Sequence, residues 1–383
     1  MRTEVLVVGG GPSGARAAQL LARRHKVLLA EEHHNPGEPL QCAGLVTRRG
    51  IPSFAEESIL GEVRGARLHS PFGFTLTLES SSSRACVIDR QHFDRLMFHQ
   101  AAEAGASVAV GSPVLSLNDR GRSVEFELRT DKKTRSGSAE VVIGADGYKS
   151  LCRRTARLPA PKQMLTGIQA DLKGVELDPD FVELYFGSSV APGFFAWAIP
   201  ADDRVRVGLC TWNAELPPAV YLRKLLSKPE FAKAQKVSLV SGKIPVGPPR
   251  RALRGKIVLV GDAASHAKPL SGGGVYTGVR GAELCADACS RFLDGRGKLD
   301  EYDAAWWEEF GKELSKAFRI RRIFLQLTDK KLDKALRLFA EPEVMALLEA
   351  RGDIDYPASL SSAVLKLAPK LAQFSPQMIK ALL

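Results

Sequence analysis

No two of the six cysteines (Cys42, Cys86, Cys152, Cys210, Cys285 and Cys289) form a C-x-x-C pair. Their scatter gives no reason to expect a disulfide framework or a metal site, and it fits a reducing compartment. No apolar run reaches the roughly 18–20 residues that a membrane span needs. The start of the chain does not read as a signal peptide, because Glu4 to Val8 already has the pattern of a buried strand. The expected location is therefore the cytoplasm, free or peripheral at the inner face of the membrane. No zinc spacing and no basic–aromatic run marks a nucleic-acid module, so no nucleic-acid partner is expected. Internal repeats and low-complexity tracts are also lacking.

What remains is an ordinary globular composition, 45% hydrophobic and 25% charged, over 383 residues. That length allows two or three structural regions. The net charge of +11 serves solubility or an anionic partner: a phosphorylated substrate, an anionic lipid surface or an acidic redox protein.

The opening "TEVLVVGGGPSGARAAQLLARRHKVLLAEE" reads as strand, glycine turn, helix, strand. This βαβ start predicts an α/β domain with a parallel sheet. Residues about 66–88 alternate like short antiparallel strands, and "DRQHFDRLMFHQAAEAG" reads as a helix ending at Gly105. From about Met164 to Pro245 longer alternating strands predict a separate antiparallel sheet. "GKIVLVGDAA" returns to a buried parallel strand, and helices follow. The expected domains are 1–160 and 251–295 for nucleotide binding, 161–250 for an inserted sheet, and 296–383 for a helical region. Cys285 and Cys289 fall one turn apart on a helix.

Gly9-Gly10-Gly11-Pro12-Ser13-Gly14 is a G-x-G-x-x-G between a strand and a helix, with Glu31 ending the second strand. Gly9, Gly11 and Gly14 permit a tight turn and close approach of a pyrophosphate to the helix N-terminus, and Glu31 would accept a ribose hydroxyl. This motif alone does not separate FAD from NAD.

Two later stretches bear on that choice. "VVIGADGYKSLCRR" places Asp146 at a strand end, and "VLVGDAASHAKPLSGGG" places Asp262 at another. With the first motif they resemble the three-part signature of FAD enzymes of the p-hydroxybenzoate hydroxylase fold. The resemblance implies FAD as cofactor, Asp262 on its ribityl chain, and backbone amides of Gly273, Gly274 and Val275 facing the flavin ring. Arg90 in "DRQHFDRL" matches an arginine that reaches the FAD in such enzymes. No second G-x-G-x-x-G is present for a nicotinamide cofactor, which leaves the electron donor open between ferredoxin and NAD(P)H.

"PGFFAWAIP", Pro192 to Pro200, carries three aromatics and no charge. It is either a packed strand or one wall of an apolar pocket. It resembles the P-x-x-Y-x-W-x-F-P motif of the archaeal and bacterial geranylgeranyl reductases, which include the digeranylgeranylglycerophospholipid reductases. Pro192, Trp197 and Pro200 match, while Phe195 replaces the tyrosine and Ile199 the phenylalanine, so any role of that hydroxyl is absent. Cys42-Ala43-Gly44 resembles the cysteine loop that this family holds near the flavin, and the helical tail is similar as well.

The resemblance implies reduction of C=C bonds in geranylgeranyl chains, with Phe195, Trp197 and Pro200 lining the substrate and an isoprenoid lipid or prenyl diphosphate as ligand. Cys42 is the first candidate proton donor, His266 the second and water the third; either side chain is otherwise a packing residue. An FAD monooxygenase acting on a hydrophobic substrate is the alternative activity. Arg319, Arg321 and Arg322 read as a solvated face or a docking patch for anionic lipid or an acidic ferredoxin. "SAVLKLAPKLAQFSPQMIKALL" reads as an amphipathic segment for a membrane interface or for packing.

Overall fold

The computed structural model describes residues 1–130 and 133–356. The N-terminal βαβ unit forms as its pattern predicts. Arg2–Val8 and Val27–Ala30 are parallel strands joined by the helix Pro12–Ala22, and Val5 to Val8 are buried on both faces. Continuous burial of short Val/Leu runs is what a parallel sheet covered by helices requires. The parallel core runs Ser107–Ala109, Val27–Ala30, Arg2–Val8, Lys133–Gly144, Ile257–Leu259, and Leu253–Arg254 closes it antiparallel. Ile257–Leu259 therefore rejoins a sheet that the chain left about a hundred residues earlier. The helix Val275–Leu293 packs on the helix Pro12–Ala22, with an Arg16–Glu283 ion pair of 2.6 Å between them. Cys285 and Cys289 lie buried in it, their sulfurs 3.9 Å apart.

A second sheet has seven strands in the order Gln235–Val246, Gln163–Lys173, Arg204–Thr211, Ala196–Ala201, Phe181–Tyr185, Gly65–His69, Thr75–Glu79. Every neighbouring pair is antiparallel except Phe181–Tyr185 with Gly65–His69. The hairpin of residues 65–79 thus extends a sheet whose other strands come from 163–246. A small sheet of Leu45–Val46, Ala85–Ile88 and Ile59–Val63 adjoins it.

Strand alternation gives this large sheet two different faces. Ala170, Leu172, Ala196, Ala198, Val205, Val207 and Leu209 form an apolar layer with Leu222 and Leu225 of the helix Pro218–Leu226. The opposite face carries Gln169, Arg206, Gly208, Gly242 and Trp197 among its apolar residues. That face looks toward the glycine turns.

C-terminal helices cover the remaining edge, including Lys312–Phe324 and Asp329–Phe339. The arginine cluster divides here. Arg319 and Arg322 are exposed, but Arg321 is only 1% exposed, which corrects the solvated-face expectation for that residue. Leu314, Ala317, Phe318 and Arg321 follow one buried stripe of the helix, whereas 319 and 322 fall on its outer side. No helix among the described residues is long and apolar enough to cross a membrane. The amphipathic segment at the end of the chain lies outside the described residues.

Candidate functional site

The first glycine turn is built by backbone constraints. Gly9 has φ +101°, and a side chain there would strike the Ala145 carbonyl oxygen. A side chain at Gly14 would run into the Gly9 oxygen, so the helix start presses directly on the turn. At Gly11 a Cβ would meet nothing within 4 Å, and no side chain caps this helix end. The result is an open cradle facing helix N–H groups, suited to an anion. Glu31 closes the turn: Gly10 N–H donates to its Oε2 at 2.7 Å, and His33 donates to Oε1 from N–H at 2.9 Å.

The other two motifs converge on the same place. Ser13 Oγ lies against both Gly261 and Gly278, where any side chain would collide with it. Asp262 sits beside the start of Val275–Leu293, within 3.4 Å of where a Cβ on Gly274 would be. That helix start, at Gly273, Gly274 and Val275, also lacks a side-chain cap. Burial, partly offset by Arg90, pushes the Asp262 carboxyl up to about 6. Asp146 is placed differently. Its Oδ1 accepts from Ser150 Oγ at 2.6 Å and its Oδ2 from Cys152 N–H at 3.0 Å, so its carboxylate caps its own short helix. Nearby Arg153 keeps one buried guanidinium nitrogen, Nη1, without a partner.

Arg90 opens the helix Arg90–Glu103 and donates to Asp94 at 3.0–3.1 Å. Burial opposes its charge, while Asp94 and Cys42 hold the guanidinium protonated, above its ordinary range. Arg206 lies on the other side of the cysteine loop and donates to the carbonyls of Ala43 at 2.8 Å and Ile88 at 2.9 Å. Gly44, at φ +75°, leaves room for this guanidinium. Cys42 Sγ accepts from Gly44 N–H at 3.3 Å and lies within hydrogen-bonding reach of Arg90. Arg206 gives no sequence cue beyond being an arginine inside an apolar strand.

The aromatic stretch meets the third motif. Only Ala196–Ala201 is strand; Pro192 to Phe195 form the turn before it. Phe194 and Phe195 stack at 4.3 Å, and Phe195 meets Trp197 edge-on at 6.3 Å. The tip of the Phe194 ring lies 3.3 Å from a Cβ placed on Gly272. Ile244 touches the same point, and Gln41 of the cysteine loop lies against Gly242, two residues along that strand and on the same face. Trp197 donates to Gln169 Oε1 at 3.1 Å, and Gly208 opposite makes space for its indole. Beneath the wall, Arg321 lies 5.2 Å from the Phe194 ring centre and donates to Gln163 Oε1 at 2.7 Å and the Gly193 carbonyl at 2.9 Å. Burial lowers this guanidinium to about 10. Pro200 is apart from this group, opposite Val205 near the hairpin end of its strand.

His266 does not present itself as a proton donor. It is 1% exposed and stacks on Trp306 at 4.4 Å. Its Nδ1 accepts from Gly261 N–H at 3.2 Å, which puts the ring proton on Nε2, facing Tyr302 Oη at 3.4 Å. Burial lowers the ring to about 3, so it stays neutral and supports the Asp262 turn. Lys268, also unforeseen, is buried behind Gly273 and donates to Asp355 Oδ1 at 2.6 Å. Asp355 Oδ2 accepts from Thr47 Oγ1 at 2.7 Å, so the segment around Asp355 straps the turn to the cysteine-loop region.

Residues 2–229 match the FAD binding domain family. With the three motifs gathered around one cradle, this defines an FAD flavoprotein oxidoreductase of the p-hydroxybenzoate hydroxylase type. Over 372 residues the chain is 31% identical to a digeranylgeranylglycerophospholipid reductase of Methanothrix thermoacetophila, covering 92% of this chain and 95% of the relative. It is 30% identical over 370 residues to an uncharacterized protein of Methanocaldococcus jannaschii, covering 95% of each. A solved geranylgeranyl bacteriochlorophyll reductase-like protein from Thermoplasma acidophilum superposes with a TM-score of 0.81 at 24% identity, covering 98% of this chain and 99% of that one. The chain belongs to the geranylgeranyl reductase family. Its residues fit FAD: the Gly11 cradle is open, two helix starts lack side-chain caps, and Asp262 stands beside the second of them.

Proposed function

We propose that the protein hydrogenates isolated C=C bonds in the geranylgeranyl chains of an isoprenoid diphosphate or a membrane ether lipid. The observation that carries this reading is the Phe194–Phe195–Trp197 wall, which meets the glycine turn at Gly272 beside the sheet face that Gln41 of the cysteine loop packs against. Flat aromatic rings hold an apolar chain at low entropic cost. In this reading Gly9, Gly11, Ser13, Gly14, Glu31, Arg90, Asp262 and the helix start at Gly273–Val275 hold FAD. Bound FAD, reduced by ferredoxin or NAD(P)H, supplies hydride chemistry.

The chain's own residues do the rest. The aromatic wall and Trp197 orient the alkene and exclude water. An unactivated alkene accepts hydride poorly, so a proton at one carbon must accompany hydride at the other. Cys42 Sγ is the group we assign to hold that proton, with Arg90 and Arg206 beside it to stabilise the thiolate that remains. His266 takes no part in this step.

The test is anaerobic. Dithionite-reduced protein is mixed with geranylgeranyl diphosphate or its glycerophospholipid derivative. A product heavier by about two daltons per reduced bond, with matching flavin reoxidation, supports the reading. Turnover only after oxygen is admitted, with no saturated product, replaces it with a monooxygenase. Cys42→Ser is expected to keep its flavin and lose about 100-fold or more in turnover, the usual scale for a general acid. Full turnover by that variant assigns the proton to water.

A further inference from the structure

Phe318 lies between a packed apolar cluster and a surface cleft. On one side it packs with Phe194, Leu165, Val246 and Ala267, the cluster that reaches the glycine turn. On the other it lines a cleft of about 500 Å³ together with Lys162, Gln163, Trp212, Arg319 and Arg322. No carboxylate lines this cleft. Lys162, Arg319 and Arg322 make no ion pair among the described residues; Lys162 instead holds its ammonium 5.1 Å from the Phe318 ring centre.

Neighbouring arginines are paired differently: Arg280 with Glu309 at 2.8 Å and Arg337 with Asp333 at 2.8 Å. Three like charges around one hollow repel each other, and an anion between them offsets that cost. Gln163 adds a neutral donor. Its carbonyl is taken by Arg321, which leaves the amide N–H₂ end to donate. Through Arg321, the same Gln163 is tied to Gly193 and to the wall ring of Phe194.

We infer that this cleft is the subsite for the phosphate or diphosphate head of the lipid substrate. The head and the apolar chain then lie on opposite sides of Phe318. This rests on the prenyl-reductase reading and deepens it, because it gives the +11 chain a defined anionic ligand.

The experiment titrates the wild-type holoprotein and an Arg319→Gln/Arg322→Gln variant with inorganic pyrophosphate, geranylgeranyl diphosphate and uncharged geranylgeraniol. Calorimetry gives Kd, and anaerobic turnover gives KM for the two prenyl compounds. Circular dichroism and flavin content check that the variant is folded. The expected result is a loss of about 10-fold or more in affinity for both anions. The KM for the diphosphate rises at least severalfold more than that for the alcohol, and Arg319→Lys/Arg322→Lys recovers part of the loss.

Equal anion binding by wild type and double variant overturns the inference, even if prenyl reduction is intact. Pyrophosphate binding as tight as prenyl diphosphate binding makes the cleft a free-anion site and overturns the head-group assignment. Loss of pyrophosphate binding in a protein that reduces no prenyl compound keeps the anion site and rejects the prenyl reading, and the lipid head with it. Loss of docking to an acidic redox protein, with anion binding unchanged, also overturns it.

Discussion

At the first glycine turn the backbone makes the site; at the aromatic wall, buried charge does. Gly9 and Gly14 are fixed because any side chain would meet a carbonyl oxygen, and the cradle at Gly11 is the space left over. The wall presents Phe194, Phe195 and Trp197, with Arg321 beneath Gly193 and Phe194, while one strand away Arg206 holds the cysteine loop. The first design tolerates no side chain at Gly9 or Gly14. The second depends on guanidinium groups kept in low dielectric and satisfied by neutral carbonyls. The two regions meet where Phe194 touches Gly272.

Glycine substitutions separate these designs most sharply. Gly14→Ala is expected to abolish FAD retention, since its methyl would overlap the Gly9 oxygen and no flexible side chain can yield. Gly11→Ala is expected to fold with near-normal Tm, because its φ of −65° suits alanine and its surroundings are open. That methyl would instead enter the cradle and weaken the hold on FAD. Flavin content against Tm for the two variants checks this, and a Gly14→Ala protein with full flavin breaks the contrast.

The buried Lys268–Asp355 pair comes next, its side chains 7% and 0% exposed. Lys268→Ala leaves the buried Asp355 carboxylate only Thr47 and, at 3.7 Å, Arg49, and is expected to cost about 3 kcal/mol in urea unfolding, the low end for a broken buried pair. The matched Lys268→Met/Asp355→Leu pair is expected to recover most of that.

The smallest effect is pH-linked. Asp262 titrates near 6 in the FAD-free fold against 3.8 for an ordinary aspartate. The fold therefore binds a proton that the unfolded chain has released between those values. Its stability falls as pH rises through that window, and the whole cost is present above about pH 6. Asp262→Asn in the apoprotein is expected to remove this cost, gaining on wild type by on the order of 2–3 kcal/mol between pH 4 and 7. Paired denaturation curves across that range measure it, and parallel curves would contradict it. In the holoprotein the same change is expected to weaken flavin retention.

The parallel core and the convergence of the three motifs on one cradle were legible because each glycine or acid in them answers a local demand. A turn at φ +101° admits glycine, and the sequence states that directly. Arg206, Lys268 and Arg321 were not legible, because what distinguishes them is partners far along the chain: Ala43, Asp355 and Gln163. Arg321 did leave a trace, sharing the spacing of Leu314, Ala317 and Phe318 rather than that of Arg319 and Arg322. His266 misled because a histidine beside a cofactor motif looks reactive, whereas its ring bonds inward to Gly261. Asp146 sits in its motif yet spends its carboxylate on Ser150 and Cys152.

The strap at Asp355 bears on when the protein can be loaded with cofactor during its synthesis. Asp355 receives Thr47 from 308 residues upstream and Lys268 from 87 residues upstream. A ribosome that has made both glycine turns has not yet made the acid that neutralises the lysine behind the second. Until that acid emerges, Lys268 behind the Gly273 turn has no counter-ion. The Gly273 turn therefore reaches its final geometry only after translation has passed Asp355. A nascent chain stalled before Asp355 would carry every nucleotide-binding motif and still lack the finished site.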